Sequence, residues 1–285
     1  MATPREIKQR IASIRNTQKI TKAMEMVSSV KLRKARAQIL SARPYAEKLS
    51  EIASNLRSSY VHSMSPLLSA RPIKKIGLVV VSSDKGLCGG FNSNVAKKAL
   101  EFIRSHGETQ VLLTVIGKKA GETLKRRSLA IRDKYHNVFF KPNYAEVSQI
   151  GGKVLADFLS GEFDEVHIVY NEFKSSVSQK PKIEQLLPVP EIKAENNPKS
   201  TNYIFEPDGK ACINDLLSKY FFFQIWRIIL ESYAGEHGAR MAAMGGATKN
   251  AGELIGKLTL FYNKARQASI TKELLEVVSG AESLR

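Results

Sequence analysis

The chain has 285 residues, 43% of them hydrophobic, enough to bury the core of one large domain or two small ones. Its 44 Lys+Arg against 27 Asp+Glu give a formal net charge of +17, so its partners are acidic: nucleic acid, an anionic membrane surface or acidic protein faces. Cys88 and Cys212 lie far apart and form no CxxC pair, which argues against a disulfide framework or a zinc site and for a reducing compartment. No apolar run reaches the roughly 18 residues of a membrane span. The nearest, Tyr220 to Leu230, contains Gln224 and Arg227. The opening MATPREIKQR has no apolar stretch behind it of the kind a secretory signal needs.

Thr3, Pro4 and Glu6 read as the N-cap, first residue and capping-box acid of a long first helix. No glycine occurs from Pro4 to Arg57, and Pro44 should kink the helix or open one backbone hydrogen bond. Leu32, Ala35, Ile39, Ala42, Ala46, Leu49, Ala53, Leu56 and Tyr60 follow a 3,4 spacing, the seam of a coiled coil. Upstream, Ile7, Ile11 and Ile14 fit the same seam, but Gln18, Thr21 and Glu25 then occupy it. Ile20, Met24 and Val27 run on a neighbouring stripe, so the contact face is expected to rotate near residues 18–28.

The middle alternates strand and helix. Ile76–Val81 reads as a buried strand and Val111–Ile116 and Glu165–Tyr170 as further strands, with helices at Asn94–Arg104, near Lys118–Arg127 and around Ser148–Leu159. Lys180–Pro190 reads as an edge strand and Lys193–Asn202 as a polar loop. The order predicts a central Rossmann-like α/β domain with a mostly parallel sheet, over residues 72–205.

A second long helix is expected from about Asp208. Met244, Ala247, Ala251, Leu254, Leu258, Phe261, Ala265 and Ala268 again run 3,4, and Phe223, Trp226, Leu230 and Tyr233 extend the register backward. Gly235, Gly238, Gly245, Gly246, Gly252 and Gly256 each weaken an isolated helix by about 1 kcal/mol relative to alanine, so tertiary packing must compensate. The two terminal helices, residues 1–60 and 208–285, are expected to pair as a long antiparallel coiled coil. At about 1.5 Å per residue the first reaches on the order of 80 Å and the second about 110 Å. The tip of the longer helix, with Leu274, Leu275, Val277 and Val278, is left without a helix to pack on, which calls for a partner that sleeves it.

Candidate chemistry is sparse. Asp84–Asn92, DKGLCGGFN, lies between a strand and a helix, where a phosphate loop sits, but matches neither GxGxxG nor GxxxxGK(S/T). A tight structural turn or a protein-contact loop fits it better. Gly117-Lys118-Lys119 opens a helix and reads as a solvated basic turn. Cys88 reads as a packed cysteine and Glu236-His237 as a polar break in a helical seam, for no second histidine follows at zinc-ligand spacing. The basic residues of the first helix matter more. Residues 1–57 hold 13 Lys+Arg and only 4 Asp+Glu, with Arg15, Lys19, Lys22, Lys31, Arg33, Lys34 and Arg36 clustered. A solvated face normally interleaves acids, and here they are nearly absent.

At this point the residues match a family. IKQRIASIRNTQKITKAMEMVSSVKLRKA, SSDKGLCGGFN, SQKPKIEQLLP, ESYAGEHGARMAAMGGATKNA and FYNKARQASITKELLEVVSGA resemble segments of the γ subunit of F-type (rotary) ATP synthase, in order and over nearly the whole chain. The resemblance implies a rotor shaft that couples proton or ion flow through a membrane ring to conformational cycling of catalytic β subunits, with no active site and no cofactor of its own. Implied partners are the α and β subunits of the hexamer, the ε subunit and the c-subunit ring, with membrane association only through the complex. Met24, Lys19, Lys22, Lys31 and Arg33 match the zone facing an acidic lever of β. Arg266 and Gln267 match residues reaching a polar loop of β, and the apolar tip matches a part that turns in a collar of the hexamer. The redox-regulated photosynthetic form carries an extra cysteine pair that this sequence lacks. The motifs begin close to Met1, so the expected setting is the cytoplasmic side of a bacterial inner membrane. The alternatives are a basic coiled-coil nucleic-acid-binding protein, supported by charge alone, and a nucleotide-using enzyme built on the α/β middle.

Overall fold

The computed structural model describes residues 3–57, 65–107, 109–175, 178–190, 205–206 and 208–283. In chain order the elements are α1 (Pro4–Arg57), β1 (Lys75–Val81), α2 (Phe91–Ser105), β2 (Gln110–Ile116), α3 (Lys118–Lys125), β3 (Ile131–Tyr135), α4 (Tyr144–Leu159), β4 (Glu165–Phe173), β5 (Gln179–Leu187) and α5 (Gly209–Ser283). No helix of the described residues is long and apolar enough to cross a membrane. The chain divides into two compact units, one of residues up to Ser28 together with those from Arg240 onward, the other of Ser29–Ala239. Of the expected first-helix seam, the Leu56 side chain and Tyr60 fall outside the described residues, as does the 193–202 loop.

In the unit of residues 29–239 the sheet order is β3-β2-β1-β4-β5. The first four strands are parallel, and β5 runs antiparallel against β4 as an edge. β1 is buried almost throughout, which is why it reads as an unbroken apolar run. Its Leu78 and Val80 pack with Val95, Ala99 and Phe102 of α2 and with Leu113 and Val115 of β2. β3, IRDKY, was not legible as a strand: it is a short edge with two large apolar residues. It is fastened by Arg132 to Asp157 of α4 at 2.9 Å and by an ion pair between Asp133 and Lys153. α4 begins at Tyr144, earlier than its apolar pattern implies, because the Asn143 side chain accepts a hydrogen bond from the Ala145 N–H at 3.1 Å.

The first part of α5 belongs to this core. Ile213, Leu217, Phe221, Ile225, Ile228 and Ile229 are all buried. The opposite side of the helix receives α1, with the Tyr45 and Phe223 rings 5.0 Å apart. Leu32, Ala35, Leu49 and Ala53 are buried on the expected seam, and α1 continues through Pro44, which has no N–H to offer the Leu40 carbonyl. α4 also packs closely on α5: a Cβ at Gly151 would lie 3.0 Å from Phe222 and 3.1 Å from Ile225, whereas one at Gly152 meets nothing within 4 Å. Gly151→Ala is therefore expected to destabilise by about 1–2 kcal/mol through overpacking. Gly152→Ala should stabilise by up to about 1 kcal/mol through helix propensity. Urea denaturation of the two variants side by side checks the opposite signs.

In the other unit, α1 up to Ser28 lies antiparallel to α5 from Arg240. Thr3 and Glu6 form the capping box, the Thr3 N–H donating to Glu6 Oε2 at 2.9 Å and the Glu6 N–H to Thr3 Oγ1 at 3.4 Å. The expected rotation of the contact face does not occur. Thr21 and Ser28 are 9% and 2% exposed, while Ile20 and Val27 are 60% and 59% exposed. The seam stays on the 3,4 positions and turns polar. Thr21 Oγ1 and Thr248 Oγ1 share a hydrogen bond of 2.8 Å, and Gln18 Nε2 donates to the Thr248 carbonyl at 3.3 Å. Glu25 covers Gly245 and Gln18 covers Gly252. The α5 seam holds at Met244, which is buried, and at Ala247, Ala251, Leu258 and Ala265, which are half-buried, and fails at the remaining positions. Leu254 and Phe261 are 42% and 50% exposed, and Ala268 is exposed as well. Thr248, Gly252, Ile255, Tyr262 and Ser269, outside the expected set, are half-buried as well. Counting apolar residues passed over the glycines and hydroxyls that admit the partner helix.

Candidate functional site

In an open sheet of this order, a nucleotide binds in the crevice outside the carboxyl ends of β1 and β4, where the winding reverses. Here the chain fills that place with its own groups. Phe91, the first residue of α2, is buried, and its carbonyl accepts from Asn171 Nδ2 of β4 at 2.9 Å. α5 passes so near that a Cβ at Gly235 would be 3.3 Å from Phe91 and 3.4 Å from Gln179. The amides at the start of α3, the natural anion site of a helix, are already bonded. Lys118 N–H donates to Asp84 Oδ1 at 3.1 Å, Lys119 N–H to the Ser83 carbonyl at 3.1 Å and Ala120 N–H to Ser82 Oγ at 3.0 Å.

The glycine-rich loop is a closed turn. The Ser83 N–H donates to Asn92 Oδ1 at 3.0 Å, and Asn92 Nδ2 donates to Cys88 Sγ at 3.2 Å. Cys88 is buried behind it. Leu87, at φ 60°, is held outward and exposed. Loop and α3 together thus form a folded anchor at the strand ends with no phosphate cradle left open.

The residues singled out for partner contact fall in two places. Lys19, Lys22, Met24, Lys31 and Arg33 are all on α1. Lys19 and Arg33 are exposed and Met24 is half-buried. The exposed Lys22 pairs with the half-buried Glu25 at 3.2 Å. Lys31 is half-buried, with its Nζ 5.8 Å from the centre of the exposed Phe140 ring. What sequence reasoning missed is the inversion of this stretch: polar Gln18, Thr21 and Ser28 face the partner helix while Ile20, Met26, Val27 and Val30 face outward. Following the seven-residue spacing through the polar seam positions, instead of following apolarity, would have found it.

The second place is the far part of α5. Partner numbers across the helix pair add to 269 or 270 (Thr21 with Thr248, Gln18 with Gly252), so Pro4 falls opposite about residue 266. Arg266 and Gln267 are both exposed there. Beyond them Leu274, Leu275, Val277 and Val278 are 61–70% exposed, a run of large apolar side chains with no covering helix.

The described residues define a class: a chain whose first and last helices pair antiparallel in one unit, and whose other unit is a small α/β fold with its ligand crevice filled by its own groups. The ATP synthase family model matches residues 3–284. The chain is 47% identical to the ATP synthase gamma chain of Geotalea daltonii over 287 residues, covering all of both proteins. Among solved structures it resembles a chain of the Tetrahymena thermophila mitochondrial ATP synthase central stalk and c-ring, with 25% identity, a TM-score of 0.63 and coverage of 80% of this chain and 99% of that one. It also shares the fold of a chain in the Euglena gracilis mitochondrial ATP synthase, with 18% identity, a TM-score of 0.68 and coverage of 99% and 94%. The chain belongs to the ATP synthase γ-chain family, the central-stalk subunits of that membrane-associated complex.

Proposed function

We propose that the chain is the turning shaft of its complex, coupling ion flow through the c ring to conformational cycling of the β subunits, and that it catalyses nothing itself. The observation that carries this reading is the inverted stretch of α1, where apolar Ile20 and Val27 face outward beside Lys19 and Lys22. Exposed apolar surface brings the chain no stability alone. Covered by a partner, it contributes roughly 25 cal/mol per Å². An acidic, partly apolar lever segment of β fits that chemistry, met by Met24, Lys19, Lys22, Lys31 and Arg33. Arg266 and Gln267 meet a polar loop of β higher on the shaft. Leu274, Leu275, Val277 and Val278 turn in an apolar collar of the α and β hexamer. The division of labour is a helix over 1–60, an α/β foot over 72–205 that meets ε and the c ring, and a helix over 208–285. Off-centre contact then shifts the conformational equilibrium of one β at a time. Attachment to the cytoplasmic face of a bacterial inner membrane is through the complex only, and no cofactor is needed.

Met24→Lys tests the placement on β. It adds a cation at a half-buried position between Lys22 and Lys31. A charge pair formed there with an acidic lever must be broken at each step, at a cost that rises with desolvation. The complex is expected to assemble and hydrolyse ATP while pumping at least about twofold fewer ions per ATP, tenfold in rate being about 1.4 kcal/mol. Measured pumping per ATP equal to wild type, in a fully assembled complex, rejects the placement.

A further inference from the structure

Within the unit of residues 29–239, α5 is joined to the sheet by a partly buried ion cluster as well as by apolar packing. Arg227 Nη2 meets Glu184 Oε2 of β5 at 2.6 Å, and Nη1 meets Glu231 Oε1 one turn along α5 at 2.7 Å. Its Nε donates to Gln224 Oε1 at 2.9 Å, so each of the three guanidinium nitrogens is engaged. The sheet side is equally tied. Glu184 Oε1 accepts from the Tyr170 hydroxyl of β4 at 2.7 Å and pairs with Lys182, which also reaches Glu172 at 3.4 Å. The Arg227, Glu184 and Glu231 side chains are only 28%, 21% and 17% exposed, and Tyr170 is wholly buried.

The two carboxylates differ. Burial works to raise the Glu184 pKa, but Arg227, Lys182 and Tyr170 outweigh it and hold it below the ordinary value. For Glu231, burial prevails over the pull of Arg227 and pushes the pKa up. Its Oε2 finds no hydrogen-bond partner. Glu184, the residue that bridges to the sheet, is therefore the firmly ionised one.

A buried ion cluster is poor evidence of stabilisation, because well-packed apolar residues often serve as well or better. What it supplies that apolar packing does not is direction. Apolar packing resists displacement by interlock but has no preferred angle of contact, whereas forked, charge-assisted bonds are short and fixed in angle. We propose that the Arg227–Glu184–Tyr170 cluster is the joint that carries torque between α5 and the α/β unit. The proposal rests on the shaft reading above: torque delivered to the foot must enter α5 without the helix turning against the sheet. Arg227 and Glu184 are then positioning residues of the rotary mechanism, needed under load and dispensable without it.

The test replaces the cluster with apolar residues of similar size, Arg227→Met with Glu184→Leu, Glu231→Leu and Tyr170→Phe, in the complete reconstituted complex. ATP hydrolysis by the detached catalytic head, which turns without load, should stay within twofold of wild type. ATP synthesis driven by an imposed ion gradient should fall at least fivefold at equal assembly. A synthesis rate equal to wild type overturns the joint. Should the fourfold variant not fold, Arg227→Lys serves: one ammonium cannot span Glu184, Glu231 and Gln224, so synthesis is expected to fall at least twofold, and an unchanged rate overturns the proposal. The same preparation separates the two readings. A wild-type chain that fails to restore pumping to a complex lacking it overturns the shaft reading, whereas normal synthesis with the apolar variant overturns the joint alone.

Discussion

Gly117→Ala should cost the α/β unit about 4 kcal/mol or more, the range in which a small domain can lose its fold. Gly117 links β2 to α3 with φ 90°, a conformation that L side chains rarely adopt. A Cβ there would lie 1.9 Å from the Ser82 backbone oxygen and 2.6 Å from its carbonyl carbon. That contact cannot be relieved by turning a side chain, because the atoms are backbone. Nor can the backbone retreat cheaply. The Gly117 N–H donates to the Tyr135 carbonyl at 2.8 Å, the Ser82 N–H donates to the Ile116 carbonyl at 2.8 Å, and the Lys119 N–H donates to the Ser83 carbonyl at 3.1 Å. Moving either strand end breaks the ladder that aligns β1, β2 and β3. Gly86→Ala is the control: the space around it is open, with nothing within 4 Å of a Cβ. It should change stability by no more than about 0.5 kcal/mol. Urea denaturation followed by circular dichroism reads both, and a Gly117→Ala midpoint close to that of Gly86→Ala would refute the strain argument.

The same glycine shows where the sequence is legible and where it is not. Gly117-Lys118-Lys119 reads as a basic turn, and it is one. That its amides are bonded by Asp84, Ser82 and Ser83 depends on residues more than thirty positions away, which no local pattern encodes. β1, β2 and β4 were legible because burial on both faces leaves apolar runs. β3 was not, since an edge strand takes its place from its register on β2 and its ion pairs to α4. The terminal helices were legible as a pair from their spacing, but their facing surfaces were only half so. Ile20 and Val27 look like seam residues by hydrophobicity and point outward, while Thr21, Thr248 and Gly252 look like surface residues and form the contact. Apolar periodicity reports which face is buried only when the burying partner is the chain itself. Where another protein is to cover the outside, the outer stripe turns apolar too and the two signals mix. The Arg227 cluster was visible only as an interruption in an apolar run. Its meaning lies in Glu184, 43 residues away.

Arg266→Ala combined with Gln267→Ala is expected to leave the isolated chain as stable as wild type and to lower ATP turnover of the assembled complex about tenfold, equivalent to about 1.4 kcal/mol on the barrier. The two expectations come from the same geometry. Both residues are exposed, at the level where α1 begins, since the register puts Pro4 opposite about residue 266. On one side of that level α5 still has a partner helix. Beyond it Ile270 and the 274–278 run are exposed. Neither side chain therefore supports the chain's own core, and surface truncations of this kind change stability little. Their chemistry suits another subunit. The Arg266 guanidinium presents a planar fork for a carboxylate, and the Gln267 amide both donates and accepts. A charge-assisted bond that forms in one rotary state and not the next contributes roughly 1.5–3 kcal/mol to the difference between states, which covers the expected effect. If the pair only solvates the helix, turnover will not move. Steady-state hydrolysis by reconstituted complex, with assembly checked by size and subunit ratio, decides: normal turnover in a fully assembled double variant removes Arg266 and Gln267 from the contact set, while a loss that Arg266→Lys only partly reverses places the fork itself in the contact.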